Sequence, residues 1–144
     1  MLPQTYVTFK ADGTKETGTF DSNSWLKLFQ GIVGGYIEPV YLEKFGLVMW
    51  GNEEARLLNH TNSEGVIVEG LPFNAHATAI VRDNHFPIPT IDMLGNVAFT
   101  SIKTTKSGNT YGVSDEQLQM LMAYETKAND SGSREIYWSV SSGD

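Results

Sequence analysis

The first quarter of the chain changes from an alternating to a helical pattern of apolar residues. Alternation on both sides of the turn pair Asp12-Gly13 predicts a β-hairpin over residues 6–20. In the stretch 25–32 the apolar residues recur at helical spacing, and Gly34-Gly35 ends the pattern. We therefore expect a helix that places one apolar face, including Trp25, against a sheet.

The next part of the chain is rich in β-branched and aromatic residues, which is typical of strands. The stretch 36–42 contains Pro39, which favours an edge strand or a bulge, and 45–50 has the pattern of a buried strand. The stretch 52–59 suits a helical turn but is short, so whether it is helix or strand stays open. The sheet therefore gains two further strands.

Shorter predicted elements occupy the middle of the chain. Residues 60–65 predict a polar loop, and 66–68 predict a short strand. Asn74 is a good N-cap for a short helix over 75–81, although the β-branched end of that stretch also suits a strand. Residues 91–102, interrupted by a glycine, predict a strand or a hairpin.

The C-terminal part contains the best-marked helix of the sequence. Ser114 and Gln117 have the spacing of a capping box, and the apolar residues that follow share one helical face. Residues 129–133 predict a flexible loop and 135–140 a closing strand. Together the elements predict a single α+β domain over residues 1–144, with a mostly antiparallel sheet and two or three helices packed on it.

The composition restricts the classes of partner and compartment. The chain has 144 residues and a net charge of -7, so it lacks the basic surface that direct binding to duplex nucleic acid requires. An acidic surface would instead suit a basic host protein, although no acidic run exceeds Glu53-Glu54. The N-terminus has no signal-peptide pattern and no apolar stretch approaches membrane-spanning length, which predicts a cytoplasmic protein that does not associate with a membrane.

The sequence contains no recognisable catalytic or metal-binding motif. The absence of cysteine excludes disulfides and thiolate catalysis, and His60, His76 and His85 match no metal-binding spacing. An enzyme that uses Glu38 or Glu53 for acid and base chemistry is the least favoured functional class, because sequence shows no second group held in a different environment. We therefore expect no catalytic residues, no metal and no cofactor.

Four segments form an ordered set that resembles a known family. They are LFQGIVGGYIE at 28–38, NEE at 52–54, GLPFN at 70–74 and ATA at 77–79. The set is similar to a bacteriophage and mobile-element family named domain of unknown function DUF3846, over roughly residues 20–102. Ala55 stands where the family has a glycine, and the C-terminal helix lies outside the resemblance. The resemblance implies a phage-encoded accessory protein that acts in the cytoplasm of an infected cell.

Five residues are predicted to form a ligand-binding site. Asn74, Arg82 and Arg56 would face an anion, because helix N-termini and arginines both bind phosphate groups. Trp50 and Tyr41 would stack on a base. Arg82 lies about two turns along the helix from Asn74, so it reaches the same anion only if the segment bends or another subunit supplies it. This geometry predicts a homo-oligomer.

Two functions are compatible with these observations. The first is a non-enzymatic counter-defence protein that binds and sequesters a small phosphorylated or nucleotide-like host ligand. The alternative is an acidic inhibitor that binds a host protein directly, such as a nucleic-acid-handling enzyme. The two hypotheses predict different partners, a small molecule or a protein, that would remain bound to the purified chain.

Overall fold

A five-stranded antiparallel sheet forms the centre of the structure, a computed structural model that describes residues 4–125. Its strands are β1 Gln4–Phe9, β2 Lys15–Phe20, β3 Ile37–Leu42, β4 Leu47–Asn52 and β7 Val97–Ser101. The strand order is β2-β1-β7-β4-β3, so β7 lies in the middle and pairs with β1 on one side and β4 on the other. The predicted edge strand with Pro39 is β3, at the edge of the sheet.

Within the described residues, three α-helices cover the two faces of the sheet. They are α1 Trp25–Val33, α2 Ala75–His85 and α3 Asp115–Ala123. The helix α1 packs on one face, where Phe29 contacts Phe20 and Ala98. The helices α2 and α3 pack on the other face, over a core that includes Phe9 and Phe99. The predicted α+β class, with helices on a mostly antiparallel sheet, is confirmed.

The helix ends follow the signals predicted from the sequence. Gly34 ends α1 with a φ of +82°, a conformation that glycine adopts without steric cost. The side chain of Asn74 caps α2, which continues to His85 rather than ending near residue 81. Ser114 and Gln117 form both hydrogen bonds of the capping box at the start of α3.

Three other predictions are corrected or resolved by the structure. Residues 60–65 are not simply a loop, because β5 (His60–Thr61) pairs with β6 (Ile67–Val68) in a separate two-stranded hairpin. The open stretch 52–59 forms neither a helix nor a continuous strand but a series of turns after β4. In 91–102 only the part after the glycine is a strand, β7. The loop predicted at 129–133 and the strand predicted at 135–140 lie outside the described residues.

The apolar face of α1 is centred on Phe29 and not on Trp25. Phe29 is fully buried, whereas Trp25 is half-buried and packs against the ring of Trp50 with 5.0 Å between centroids. Trp25 is the first residue of the helix, so its side chain lies near the end of the contact with the sheet. The expectation that Trp25 belongs to the core is therefore only partly met.

Candidate functional site

A cleft of about 250 Å³ opens on the α2 side of the sheet, near the start of β3 and the end of β4. Two irregular segments, 53–57 and 91–94, form its walls. Its floor is apolar and includes Val40 from β3, Met49 from β4 and Val97 from β7. The floor residues belong to or contact the same core cluster that α2 covers, so the cleft is a lateral opening into the main core.

Asn52 fixes the first wall of the cleft. This residue is buried at the end of β4, and its Nδ2 donates to the carbonyl oxygen of Val33 at 3.1 Å. Its Oδ1 accepts from the backbone N–H of Glu54 at 2.8 Å, and its carbonyl accepts from Ala55. One side chain thus joins the end of α1 to the turn that follows β4. The NEE segment is therefore a structural turn with Glu53 at the cleft.

Gly35 lies beside the Asn52 side chain and leaves space for it because glycine has no Cβ. A Cβ atom at position 35 would lie 2.9 Å from Asn52 Nδ2, which is closer than side chains normally approach. The amide cannot move away without losing its hydrogen bonds to Val33 and Glu54. The second glycine of the Gly34-Gly35 pair is therefore required by packing, whereas the first is required by its positive φ.

We expect opposite effects from two glycine substitutions only four residues apart. Gly35→Ala should lower the free energy of unfolding by about 1–2 kcal/mol, because the added methyl group displaces the Asn52 amide. Gly31→Ala should raise it by about 0.5–1 kcal/mol, because position 31 lies inside α1 with no atom within 4 Å of an added Cβ. Urea unfolding of both variants measures the two changes. Equal stability of the two variants would contradict the close contact at position 35.

Asn74 fixes the second wall of the cleft. Its side chain is fully buried and donates from Nδ2 to the carbonyls of Phe9, at 2.9 Å, and Gly95, at 2.8 Å. Its backbone N–H donates to the carbonyl of Met93, and its Oδ1 accepts from Ala77 as the cap of α2. The side chain therefore joins β1, α2 and the segment that precedes β7. Both amide hydrogens and the oxygen are already engaged within the protein.

The rim of the cleft carries three carboxylates and one guanidinium. Glu38, Glu53 and Asp92 supply the carboxylates, and Arg56 supplies the guanidinium. The Nη2 atom of Arg56 donates to the backbone carbonyl of Asp92, which joins the two walls across one end of the opening. The charge at the rim is therefore predominantly negative. Leu57 belongs to the same rim and is 76% exposed.

The structure places only one of the five predicted site residues, Arg56, in this cleft. Asn74 is fully buried and Arg82, on α2, is 2% exposed, and neither residue lines the cleft. Burial lowers the pKa of the Arg82 guanidinium, while the charges of Asp92 and Asp83 act in the opposite direction.

The two aromatic residues predicted to stack on a base lie on the other face of the sheet. Trp50 packs with α1, and its Nε1 donates to Thr100 Oγ1 at 2.8 Å. Tyr41 pairs across the strands with Val48, two residues from Trp50, so it shares that face, and its side chain is 55% exposed. The structure therefore does not bring the five predicted residues together.

The apolar floor was not predicted from the sequence, and an enzyme using either of two rim carboxylates, Glu38 or Glu53, was the least favoured functional class. Alternation along β3 and β4 separates each strand into two faces but does not say which face borders a cleft. Glu38 and Val40 are two residues apart and so share one face of β3. That spacing was the available signal, because Val40 packs against the core and the exposed Glu38 lies on the same face at its border.

None of the groups with shifted pKa values lines the cleft, and three of them, Lys15, His76 and Tyr124, lie together beside the residues that follow α3. Burial and the neighbouring Lys15 lower the pKa of His76, although the Glu125 carboxylate lies 3.7 Å from its Nε2. Burial lowers the pKa of the Lys15 amine as well. Burial raises the pKa of the Tyr124 hydroxyl, which donates to the Asp83 carboxylate. These groups hold the residues after α3 against the sheet and α2.

Residues 4–125 contain neither a cluster of side chains suited to a metal ion nor a membrane-spanning helix. No group of three or more His, Asp or Glu side chains in this range converges on a metal position. No helix in the same range is both long enough and apolar enough to cross a bilayer.

Residues 7–127 match the family described as Domain of unknown function (DUF3846). The chain belongs to this family. The DUF3846 match is wider than the segment 20–102 inferred from the sequence, since it begins in β1 and includes α3. The helix α3, which was expected to lie outside the resemblance, is therefore part of the matched domain. No curated protein and no solved structure is significantly similar to the chain.

Proposed function

We propose that this DUF3846 protein is a non-enzymatic binding protein that holds a small molecule in the cleft beside β3 and β4. The observation that carries the proposal is an apolar cavity whose two walls are fixed by buried asparagines, Asn52 and Asn74. Small-molecule sites are typically preformed concave openings with an apolar lining and a few placed polar groups. The segments of the family resemblance, NEE and GLPFN, contain these two asparagines.

The chemistry of the cleft favours the apolar or base part of a nucleotide-like ligand over its phosphate. Of the three residues predicted to bind an anion, only Arg56 lines the opening, and three carboxylates accompany it. Carboxylates that line the same opening repel a negatively charged phosphate and so oppose its binding. We retain sequestration of a small host molecule in an infected cell as part of the proposal, supported by the phage-family resemblance.

The proposal is tested by native mass spectrometry of the full chain purified without denaturation. We expect a small-molecule adduct on the wild-type protein and none on Gly51→Leu. Gly51 lines the cleft, and only Val97 lies within 4 Å of a Cβ added there, so leucine would extend into the opening. Gly31→Leu, on the open surface of α1, is the matched control and should keep the adduct.

The same spectra test the alternatives. A bound protein in place of a small molecule would favour the inhibitor hypothesis, and the mass of the free protein reports whether it is the predicted homo-oligomer. No adduct on the wild-type protein, or an adduct that persists in Gly51→Leu, would overturn the assignment of the cleft.

An acid-base enzyme is a second candidate, because Glu38 and Glu53 both line the cleft. The two carboxylates could serve as acid and base only if their environments separated their protonation states. Chromatography of the released ligand after long incubation with the protein separates the two functions. An unchanged ligand supports binding alone. A product formed by the wild type but not by Glu38→Gln would show an enzyme.

A further inference from the structure

Glu38 and Glu53 both line the cleft, one from β3 and one from the turn directly after β4. Glu38 lies on β3 directly opposite Gly51 of β4, and Glu53 follows the end of β4. Because Gly51 has no side chain, the floor beside Glu38 is open. Within residues 4–125, neither carboxylate forms an ion pair or a side-chain hydrogen bond. Their acceptor oxygens are therefore available to a molecule in the cleft.

Arg56 lines the same opening, and its guanidinium is hydrogen-bonded to the opposite wall. One of its N–H groups donates to the backbone carbonyl of Asp92, which orients the guanidinium toward the wall formed by 91–94. An arginine has five N–H donors, so further donors remain for a ligand. The cleft thus offers carboxylate acceptors at Glu38 and Glu53, a cationic donor at Arg56, and an apolar floor between Val40 and Met49.

A carboxylate binds best to two parallel N–H groups in one plane. Such a donor pair occurs in a guanidinium group and along the N1–H and N2–H edge of a guanine base. An adenine base presents one amino group beside a ring nitrogen that is an acceptor, and this acceptor would repel a carboxylate. A phosphate would face the same repulsion.

We infer that the ligand presents a planar pair of N–H donors to the carboxylates of Glu38 and Glu53, with its flat body on the apolar floor. This inference rests on the proposed function of the cleft and specifies its ligand class. A cleft of about 250 Å³ is smaller than the sites of drug-sized ligands, so it suits one base or one guanidinium with a short apolar chain. Arg56 then contacts the acceptor side of that body.

Calorimetric titration of the full chain with defined probes tests this inference. We expect guanosine or butylguanidine to bind the wild-type protein at least tenfold more tightly than adenosine or inorganic phosphate. Binding of guanosine alone identifies a base as the source of the donor pair. Binding of butylguanidine alone identifies a free guanidinium. If neither probe binds, or if adenosine binds as tightly, the inference is wrong.

Substitutions of the two carboxylates locate the binding probe. Glu38→Gln and Glu53→Gln should each weaken it at least tenfold, because an amide replaces one acceptor oxygen by a competing donor. Both residues are exposed, so the variants should remain folded. Glu54→Gln is the matched control, because Glu54 follows Glu53 in the same turn but does not line the cleft. Equal weakening by Glu54→Gln would show a general charge effect and overturn the inference.

Failure of the inference about the ligand class is distinguishable from failure of the proposed function. If the purified protein carries an adduct that Gly51→Leu removes, yet neither donor probe binds, the cleft is a binding site with a different ligand class. If no adduct is found and no probe binds, the cleft itself is wrongly assigned.

Discussion

Replacing Asn74 with alanine should lower the free energy of unfolding by about 4 kcal/mol. The substitution removes the partners of three buried backbone groups, the carbonyls of Phe9 and Gly95 and the N–H of Ala77. Each buried polar group left without a partner costs about 1–3 kcal/mol. Urea unfolding followed by circular dichroism gives the value.

Two substitutions at the same position separate the cap of α2 from the contacts to the sheet. Asn74→Ser keeps an acceptor for Ala77, but its shorter side chain has one O–H in place of two N–H donors. It therefore cannot keep both bonds to Phe9 and Gly95, and we expect an intermediate loss of about 2–3 kcal/mol. Asn74→Asp keeps the size and the cap but points a second oxygen at two carbonyls, so its loss should at least equal that of alanine. A serine variant as stable as the wild type would show that capping is the whole role of Asn74.

Replacing Phe29 with alanine should cost about 3–5 kcal/mol of unfolding free energy, because a fully buried ring is lost and a cavity remains. The ring packs edge-on against Tyr6 and Phe20, with centroid distances of 5.5 Å and 5.3 Å. Such aromatic pairs add to the contribution of burial alone. Thermal and urea unfolding should both report the loss.

The contrast with Trp25 is the control for this prediction. Trp25→Ala should cost less, about 2 kcal/mol, since the indole is only half-buried at the end of α1. Phe29→Leu, which refills most of the space, should lose less than about 2 kcal/mol. If Trp25→Ala is the more destabilising of the two alanine variants, the centre of this cluster lies closer to Trp50 than the burial of Phe29 indicates.

Local signals predicted most of the fold because each needed only a few neighbouring residues. The turn at Asp12-Gly13, the glycine that ends α1 and the capping box of α3 all act within about four residues. The short strand β5 was missed because His60 and Thr61 lack an apolar alternation and pair only through the backbone of β6. Sequence periodicity carries no signal for a two-residue strand.

The candidate site was harder to predict because it depends on contacts between distant segments. The capping role of Asn74 was visible in the sequence, but its hydrogen bond to Phe9 spans 65 residues and buries the side chain. Trp50 and Met49 are adjacent in sequence and lie on opposite faces of β4, so one borders the cleft and the other does not. From residue type alone, Trp50 was a stronger candidate for ligand contact than Met49.

Because β7 lies in the middle of the sheet, the sheet cannot close until this late strand has been synthesised. The hairpins β1-β2 and β3-β4 can each pair as soon as their own residues are available. Their inner edges, β1 and β4, gain partners only when β7 arrives at Val97–Ser101. During synthesis on the ribosome, therefore, two unsatisfied strand edges stay open until about residue 101 has emerged. Closure of the sheet joins segments about 90 residues apart, and such non-local pairing slows folding.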